Sequence, residues 1–277
     1  MYDAIVIGGG PAGLQATLTL GRMHRPTLML DSGAYRNAPV DAMHNIITND
    51  GRDPAEFRSI VRAEVAAYGD VEIREVAATT VDRLGDGTFE VTLADGSVVA
   101  AQNIVLATGL RDVMPDIPGF AEQWGRTVHV CPFCHGHELS GKRIAIQDSP
   151  AAVHAVAMLS AIAGSIKVVP PVTRVAPSAA GLVVTSGSTA VVVDGLFAHP
   201  AFEQAAPFAA QLELELRESG AIAIDFFGHT SVPGVFAAGD LAHVAELPMP
   251  MPSVLAAAFA GQIAGAMVVR EMLMEPA

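Results

Sequence analysis

Only two of the 277 residues are cysteines, and only two are lysines, Lys142 and Lys167. So few thiols exclude a disulfide-rich secreted scaffold. So few lysines, in a chain of net charge −13, argue against nucleic acid or an anionic membrane surface as partner. The start of the chain runs straight into a strand pattern and shows neither the basic region nor the cleavage site of an export signal. The longest apolar run, 254–269, is short, rich in Gly and Ala, and interrupted by Gln262, so no membrane span is expected. Hydrophobic residues make up 51% of the chain, with Pro and Gly scattered rather than clustered. That excludes a disordered chain and leaves a globular protein long enough for two domains. A soluble, cytoplasmic protein is expected.

The two cysteines stand together in Cys131-Pro132-Phe133-Cys134-His135. At this spacing they can close a small disulfide ring on the first turn of a helix, where the helix N-terminus and His135 favour thiolate over thiol. A purely structural disulfide would add little, because the gain from loop closure grows with loop length. Zinc could recruit His129, His135 or His137, but structural zinc usually joins two separated ligand pairs and no second pair is visible. Cys-x-x-Cys-His is also the attachment signature for c-type haem, which goes with export. Redox chemistry leads these alternatives, with Cys131 and Cys134 as the couple. His135, with His137 in reserve, is the candidate proton acceptor, since imidazole titrates in the useful range.

A second motif opens the chain. The apolar strand 2–7 runs into Gly8-Gly9-Gly10-Pro11-Ala12-Gly13, and a helix follows over 14–22. Glycines at 8, 10 and 13 fit G-x-G-x-x-G, which lets a pyrophosphate approach a helix N-terminus. A second strand over 27–30 ends in Asp31, placed to take the ribose hydroxyls of an adenosine. Further on, the pattern predicts a polar loop over 32–51, a helix over 54–68, an antiparallel meander over 71–101, and a buried strand over 103–109 ending in Thr108-Gly109.

After a Pro- and Asp-rich stretch over 110–119, a second domain opens with the cysteine pair. Its strand 141–146 leads to a turn that reads Gln147-Asp148-Ser149-Pro150 instead of a glycine-rich one. Proline removes an N–H donor and Asp148 repels phosphate. At an effective dielectric of about 20, one such repulsion at about 4 Å is roughly 4 kcal/mol, nearly a thousandfold in affinity. Segments 191–194 and 195–197 are read as the return toward the first domain. Residues 230–240 form a strand delivering Asp240, and a final helix runs from about 253 to 274. Before it, the stiff loop Leu247-Pro248-Met249-Pro250-Met251-Pro252 either caps that helix or lines a pocket.

Four segments in this order, IVIGGGPAG, LATG at 106–109, CPFC, and TSVPGVFAAGD near the end, resemble the thioredoxin-reductase-like flavoproteins of the pyridine nucleotide-disulfide oxidoreductase family. The resemblance spans essentially the whole chain. It implies an α/β fold of two Rossmann-like domains, with the FAD domain (1–115 and 220–277) split by an inserted, shortened CxxC-bearing domain (116–219). It also implies FAD held by Gly8, Gly10, Pro11, Ala12, Gly13, Asp31, Gly109, Gly239 and Asp240, and a homodimer. By the same likeness Cys134 faces the flavin and Cys131 exchanges with substrate. The departures are the lost NADPH glycines, His135 where the reductases carry an aspartate, and Val254-Leu255 where they carry Arg-Gln. With these, the pattern looks closer to the dithiol oxidases that close disulfides in natural products such as gliotoxin and holomycin, with oxygen reoxidising the flavin. A reductase fed by NADPH at an atypical site or by ferredoxin, and a non-catalytic FAD-binding redox sensor, are the rival readings.

Overall fold

The structure is a computed structural model describing residues 1–247, 250 and 252–274. It divides into two compact units: 1–36, 55–111 and 203–277 form the first, and 37–54 with 112–202 the second.

The chain opens with β1 (Tyr2–Ile7), α1 (Pro11–Arg22), β2 (Thr27–Leu30), α2 (Pro54–Ala66), β3 (Val71–Arg74), β4 (Ala78–Arg83), β5 (Phe89–Leu93), β6 (Val98–Leu106) and β7 (Leu110–Val113). Strands β3, β2, β1 and β6 lie side by side and parallel. In the nine-residue β6 the first half pairs antiparallel with β5 and the second half parallel with a late strand, Val235–Ala237. The expected meander over 71–101 is therefore β4-β5-β6 alone, because β3 pairs parallel with β2.

Alternation along the central strands sorts their side chains onto two faces. Ile5, Ile7, Leu28, Leu30, Ile104 and Leu106 join one core, while Ala4, Val6, Met29 and Val105 join the other. Both faces are covered, which is why these strands read as continuous apolar runs rather than alternating ones.

The second unit contains α3 (Phe120–Gln123), β8 (Val128–His129), α4 (Pro132–His135), a 3-10 turn at His137–Leu139, β9 (Arg143–Gln147), α5 (Ala152–Leu159), β10 (Ser165–Val169), β11 (Arg174–Ser178), β12 (Gly181–Ser186), β13 (Thr189–Val193) and β14 (Gly195–Phe197). A parallel sheet in the order β10-β9-β14-β8 carries the site, and β11-β12-β13 form a separate antiparallel sheet. This corrects the reading of 191–197 as a return to the first domain. β14 lies between β9 and β8, with Leu196 and Phe197 fully buried there.

The chain re-enters the first unit through β15 (Ala201–Gln204), α6 (Phe208–Gln211), β16 (Ile222–Ile224), β17 (Val235–Ala237), β18 (Ala242–Val244) and α7 (Val254–Met274). The compact units thus divide near 111 and 202, against the 115 and 219 read from sequence. Residues 203–219 stay with the first unit because Phe208, Ala209, Leu212 and Leu214 complete its first core. Residues 37–54 go with the second, where His44 lies 3.6 Å from Glu138. Helix α7 extends five residues beyond the apolar run, and by length and composition it could cross a bilayer. In the structure it lies along α1, with Ala257, Ala264 and Val268 sharing a core with Leu14, Ala16 and Leu20.

Candidate active site

The candidate site residues fall into two sets, one in each unit. In the first unit, β1 ends in the glycine turn and α1 begins at Pro11 with no side-chain cap. A Cβ on Gly8 would lie 2.2 Å from the Ala107 carbonyl oxygen, and one on Gly13 would lie 1.8 Å from that of Gly8. Only glycine allows a turn this tight, and Gly8 also has φ +123°. Gly10, by contrast, faces open space within 4 Å, so the uncapped helix N-terminus is reachable by phosphate oxygens.

Asp31, 2% exposed, leans over the turn from the end of β2. Its carboxylate accepts hydrogen bonds from Gly33 N–H at 2.9 Å, from the Tyr35 hydroxyl at 2.6 Å, and from Arg62. The Arg58 guanidinium lies 3.7 Å over the Tyr35 ring. At the far end of the turn, Gly239 and Asp240 follow β17, and Asp240 pairs with Arg36 at 3.1 Å. Gly109 follows β6 with φ +72° and nothing within 4 Å of its missing Cβ. The glycine cradle, the buried carboxylate and the uncapped helix end fit FAD. Arg36, Tyr35, Arg58 and Arg62 are additions that sequence reading missed, and no motif in the chain announces them.

Beside Asp240, the first unit has a mostly apolar cavity of about 200 Å³, lined among others by Ile224, Phe226, Leu247, Pro250, Phe259 and Ile263. Two members of the 247–252 loop thus line a pocket, while Pro248, Met249 and Met251 lie outside the described residues.

In the second unit, β8 delivers the cysteine pair. Cys131 has extended backbone angles, Pro132 opens α4, and the amides of Cys134 and His135 both donate to the Cys131 carbonyl at 3.2 Å. Cys131 and Cys134 are disulfide-bonded, with Cα atoms 5.3 Å apart. Helix α4 is a single turn of four residues. Its dipole is therefore weaker than the sequence suggested, and the thiolate depends more on nearby side chains. Phe133 stands 71% exposed between the cysteines, while His137 is exposed on the following 3-10 turn.

His135 is half-buried and stacked on His129, with ring centroids 4.2 Å apart and planes at 21°. Burial holds His135 below the ordinary imidazole range, Glu138 pulls it back up, and His44 pushes it down. His129 is driven to about 3, by burial first and the His135 charge second. His129 entered the sequence reading only as a zinc ligand. Its place two residues before Cys131 was the available signal. His44 and Glu138 carried none.

The degenerate turn between β9 and α5 has few amides to offer. Asp148 N–H is bonded to the Val169 carbonyl at 2.8 Å and Ala152 N–H to that of Ser149 at 2.9 Å, while Pro150 has none. Asp148 is exposed, so water weakens its repulsion of a phosphate to roughly 1 kcal/mol at about 4 Å. Loss of amide donors therefore outweighs the charge.

The chain matches the pyridine nucleotide-disulphide oxidoreductase family over residues 2–156 and 165–261. It is 32% identical to thioredoxin reductase sirT of Leptosphaeria maculans, covering 96% of this chain and 92% of that protein. Thioredoxin reductase aclD of Aspergillus oryzae is 40% identical over 143 residues, which is 51% of this chain and 45% of the relative. Other relatives are likewise matched over less than half their own length. Among solved structures, HlmI superimposes with a TM-score of 0.88 at 31% identity, covering 98% of this chain and 92% of that one. An oxidoreductase from Agrobacterium tumefaciens gives 0.89 at 29%, covering 99% of both chains.

Proposed function

The chain belongs to the pyridine nucleotide-disulphide oxidoreductase family, whose members are FAD-dependent thiol–disulfide oxidoreductases, and on that premise we propose that it oxidises small dithiols to disulfides. The observation that carries this reading is the turn at 147–152, where Pro150 has no amide and Ala152 has committed its own to the Ser149 carbonyl. A pyridine nucleotide has little to hold it there, which supports entry of electrons through the cysteine pair.

A substrate thiolate attacks Cys131 Sγ, the Cys131–Cys134 bond breaks, and Cys134 leaves as thiolate. The second substrate thiol attacks the substrate sulfur of the mixed disulfide. This forms the product disulfide and releases Cys131. His135, kept largely neutral by burial, takes the proton of the attacking substrate thiol, and the second thiol's proton goes to the departing Cys131 thiolate. Gly8, Gly10, Pro11, Ala12, Gly13, Asp31, Gly109, Gly239 and Asp240 would hold FAD, which would supply the two-electron acceptor that restores the disulfide; molecular oxygen is the proposed final acceptor, giving hydrogen peroxide.

A homodimer belongs to the same reading, supported by the exposed aromatic cluster of Phe226, Phe227 and Phe259 on the first unit. The relatives' printed names favour a second reading, a reductase of thioredoxin-like disulfides. Aerobic incubation with a small dithiol separates the two. One hydrogen peroxide per disulfide formed, without added nicotinamide, supports the oxidase; no peroxide and no disulfide refutes it.

A further inference from the structure

His129 is 6% exposed at the end of β8, between the ring of His135 and that of Phe197, whose centroid is 5.8 Å away. The backbone fixes it there: His129 pairs with Phe197 across the sheet, and its carbonyl accepts the Ala198 N–H at 2.9 Å. Among the described residues, the buried Nδ1 atoms of His129 and His135 both lack a hydrogen-bond partner. That matters for protonation, because an imidazolium donates from both ring nitrogens whereas a neutral imidazole donates from only one. A proton added to His135 would leave either a buried N–H without an acceptor or a cation with one face sealed against an uncharged ring.

Among the described residues, the charges that act on His135 are those of Glu138 and His44, with His137 exposed on the adjoining turn. Glu138 comes from the 3-10 turn and favours the cation. His44 comes from the 37–54 segment, between Asp50 at 3.7 Å and Glu138 at 3.6 Å, and opposes it. The cysteine pair lies on the same turn. β14 places Phe197 behind His129.

We propose that His129 is a positioning residue, a ring fixed to the sheet that seals one face of His135 and so keeps that imidazole neutral and ready to accept a thiol proton. This rests on His135 being the proton acceptor of the proposed reaction. His129 itself does not carry the proton. Its ring acts by its shape and dryness.

The test is an NMR titration of His135 in the oxidised FAD-loaded protein, with histidines isotopically labelled and His135 assigned by its own substitution. His129→Ala and His129→Gln remove the ring, and the His135 midpoint should move up toward that of an ordinary histidine in both. His129→Phe keeps the ring, and its midpoint should overlay the parent's. The acid limb of dithiol turnover should follow the same order. If His129→Ala does not fold, His129→Gln decides. An unchanged midpoint in the ring-less variants, or a His129→Phe shift as large as theirs, overturns the proposal. Because the titration needs no turnover, a protein inactive toward every dithiol but showing the expected shifts would refute the oxidase reading and leave the wall intact.

Discussion

Replacing Gly261 with alanine tests the packing that presents the FAD cradle. Gly261 lies on α7 against the first turn of α1. A Cβ there would stand 2.0 Å from the Ala12 carbonyl oxygen, 2.8 Å from its carbonyl carbon and 3.0 Å from its Cα. All three are backbone atoms, so no side chain can swing away. Comfortable carbon contacts are about 3.5–4.0 Å, and α7 must retreat by more than 1 Å, roughly, or bend. Alanine gains about 1 kcal/mol over glycine in helix propensity, whereas overpacking costs about 1–3 kcal/mol. Because only backbone can give way, the cost lies at the upper end of that range, and the clash wins with a net loss of about 2 kcal/mol for alanine and more for Gly261→Val. At about 2–4 °C per kcal/mol for a chain of this size, the alanine variant should melt a few degrees lower and the valine variant lower still. Ala12 belongs to the cradle, so FAD should also dissociate more readily, read by recovery of free-flavin fluorescence on dilution. A Gly261→Ala protein as stable as the parent, with FAD retained, would refute the close approach of α7 to α1.

Cys131→Ser should show a long-wavelength thiolate-to-flavin charge-transfer band from Cys134, while Cys134→Ser should trap substrate on Cys131 as a mixed disulfide visible by mass spectrometry. Exchanged phenotypes would reverse the assigned roles. Asp194, held by the Arg143 guanidinium through two bonds of 2.8 and 3.0 Å, is lowered from 3.8 to about 2. A carboxylate depressed on folding stabilises above its unfolded value and loses that contribution as pH falls through its folded one. Asp194→Asn should therefore lower the melting temperature at neutral pH, with parent and variant converging between pH 3.8 and about 2; a constant gap refutes the linkage. Two missing phosphate donors at about 1.5–3 kcal/mol each should hold NADPH affinity two to four decades below that of a glycine-rich site, roughly millimolar where such a site is micromolar. Calorimetric binding in the micromolar range would contradict the account of the 147–152 turn.

What was legible in the sequence was the part that local chemistry dictates. Gly8, Gly10, Gly13 and Asp31 form a contiguous strand–turn–helix–strand unit, and a cysteine pair three residues apart can meet on one turn. What escaped depends on distant pairing. The 195–197 strand is too short to reveal that it inserts between β9 and β8. Residues 203–219 look like part of the inserted domain until Phe208, Leu212 and Leu214 are seen filling the first core. The surroundings of His135 were hidden for the same reason: His44 arrives from a loop about ninety residues away with no pattern of its own, and His129, on β8, stacks on His135, at the end of the single turn of α4, across the cysteine pair in sequence. The weight placed on Asp148 was likewise a matter of exposure. Its charge is diluted by water, and the spent amides beside it matter more.

The most direct test of the central claim is anaerobic titration of the FAD-loaded protein, followed by its flavin absorbance. The account predicts that a small dithiol bleaches the flavin with one equivalent per chain, that NADPH and NADH leave it yellow at concentrations well below millimolar, and that readmitted oxygen restores the colour with hydrogen peroxide formed. Rapid stoichiometric bleaching by either nicotinamide would contradict it and make the protein a pyridine-nucleotide-fed reductase.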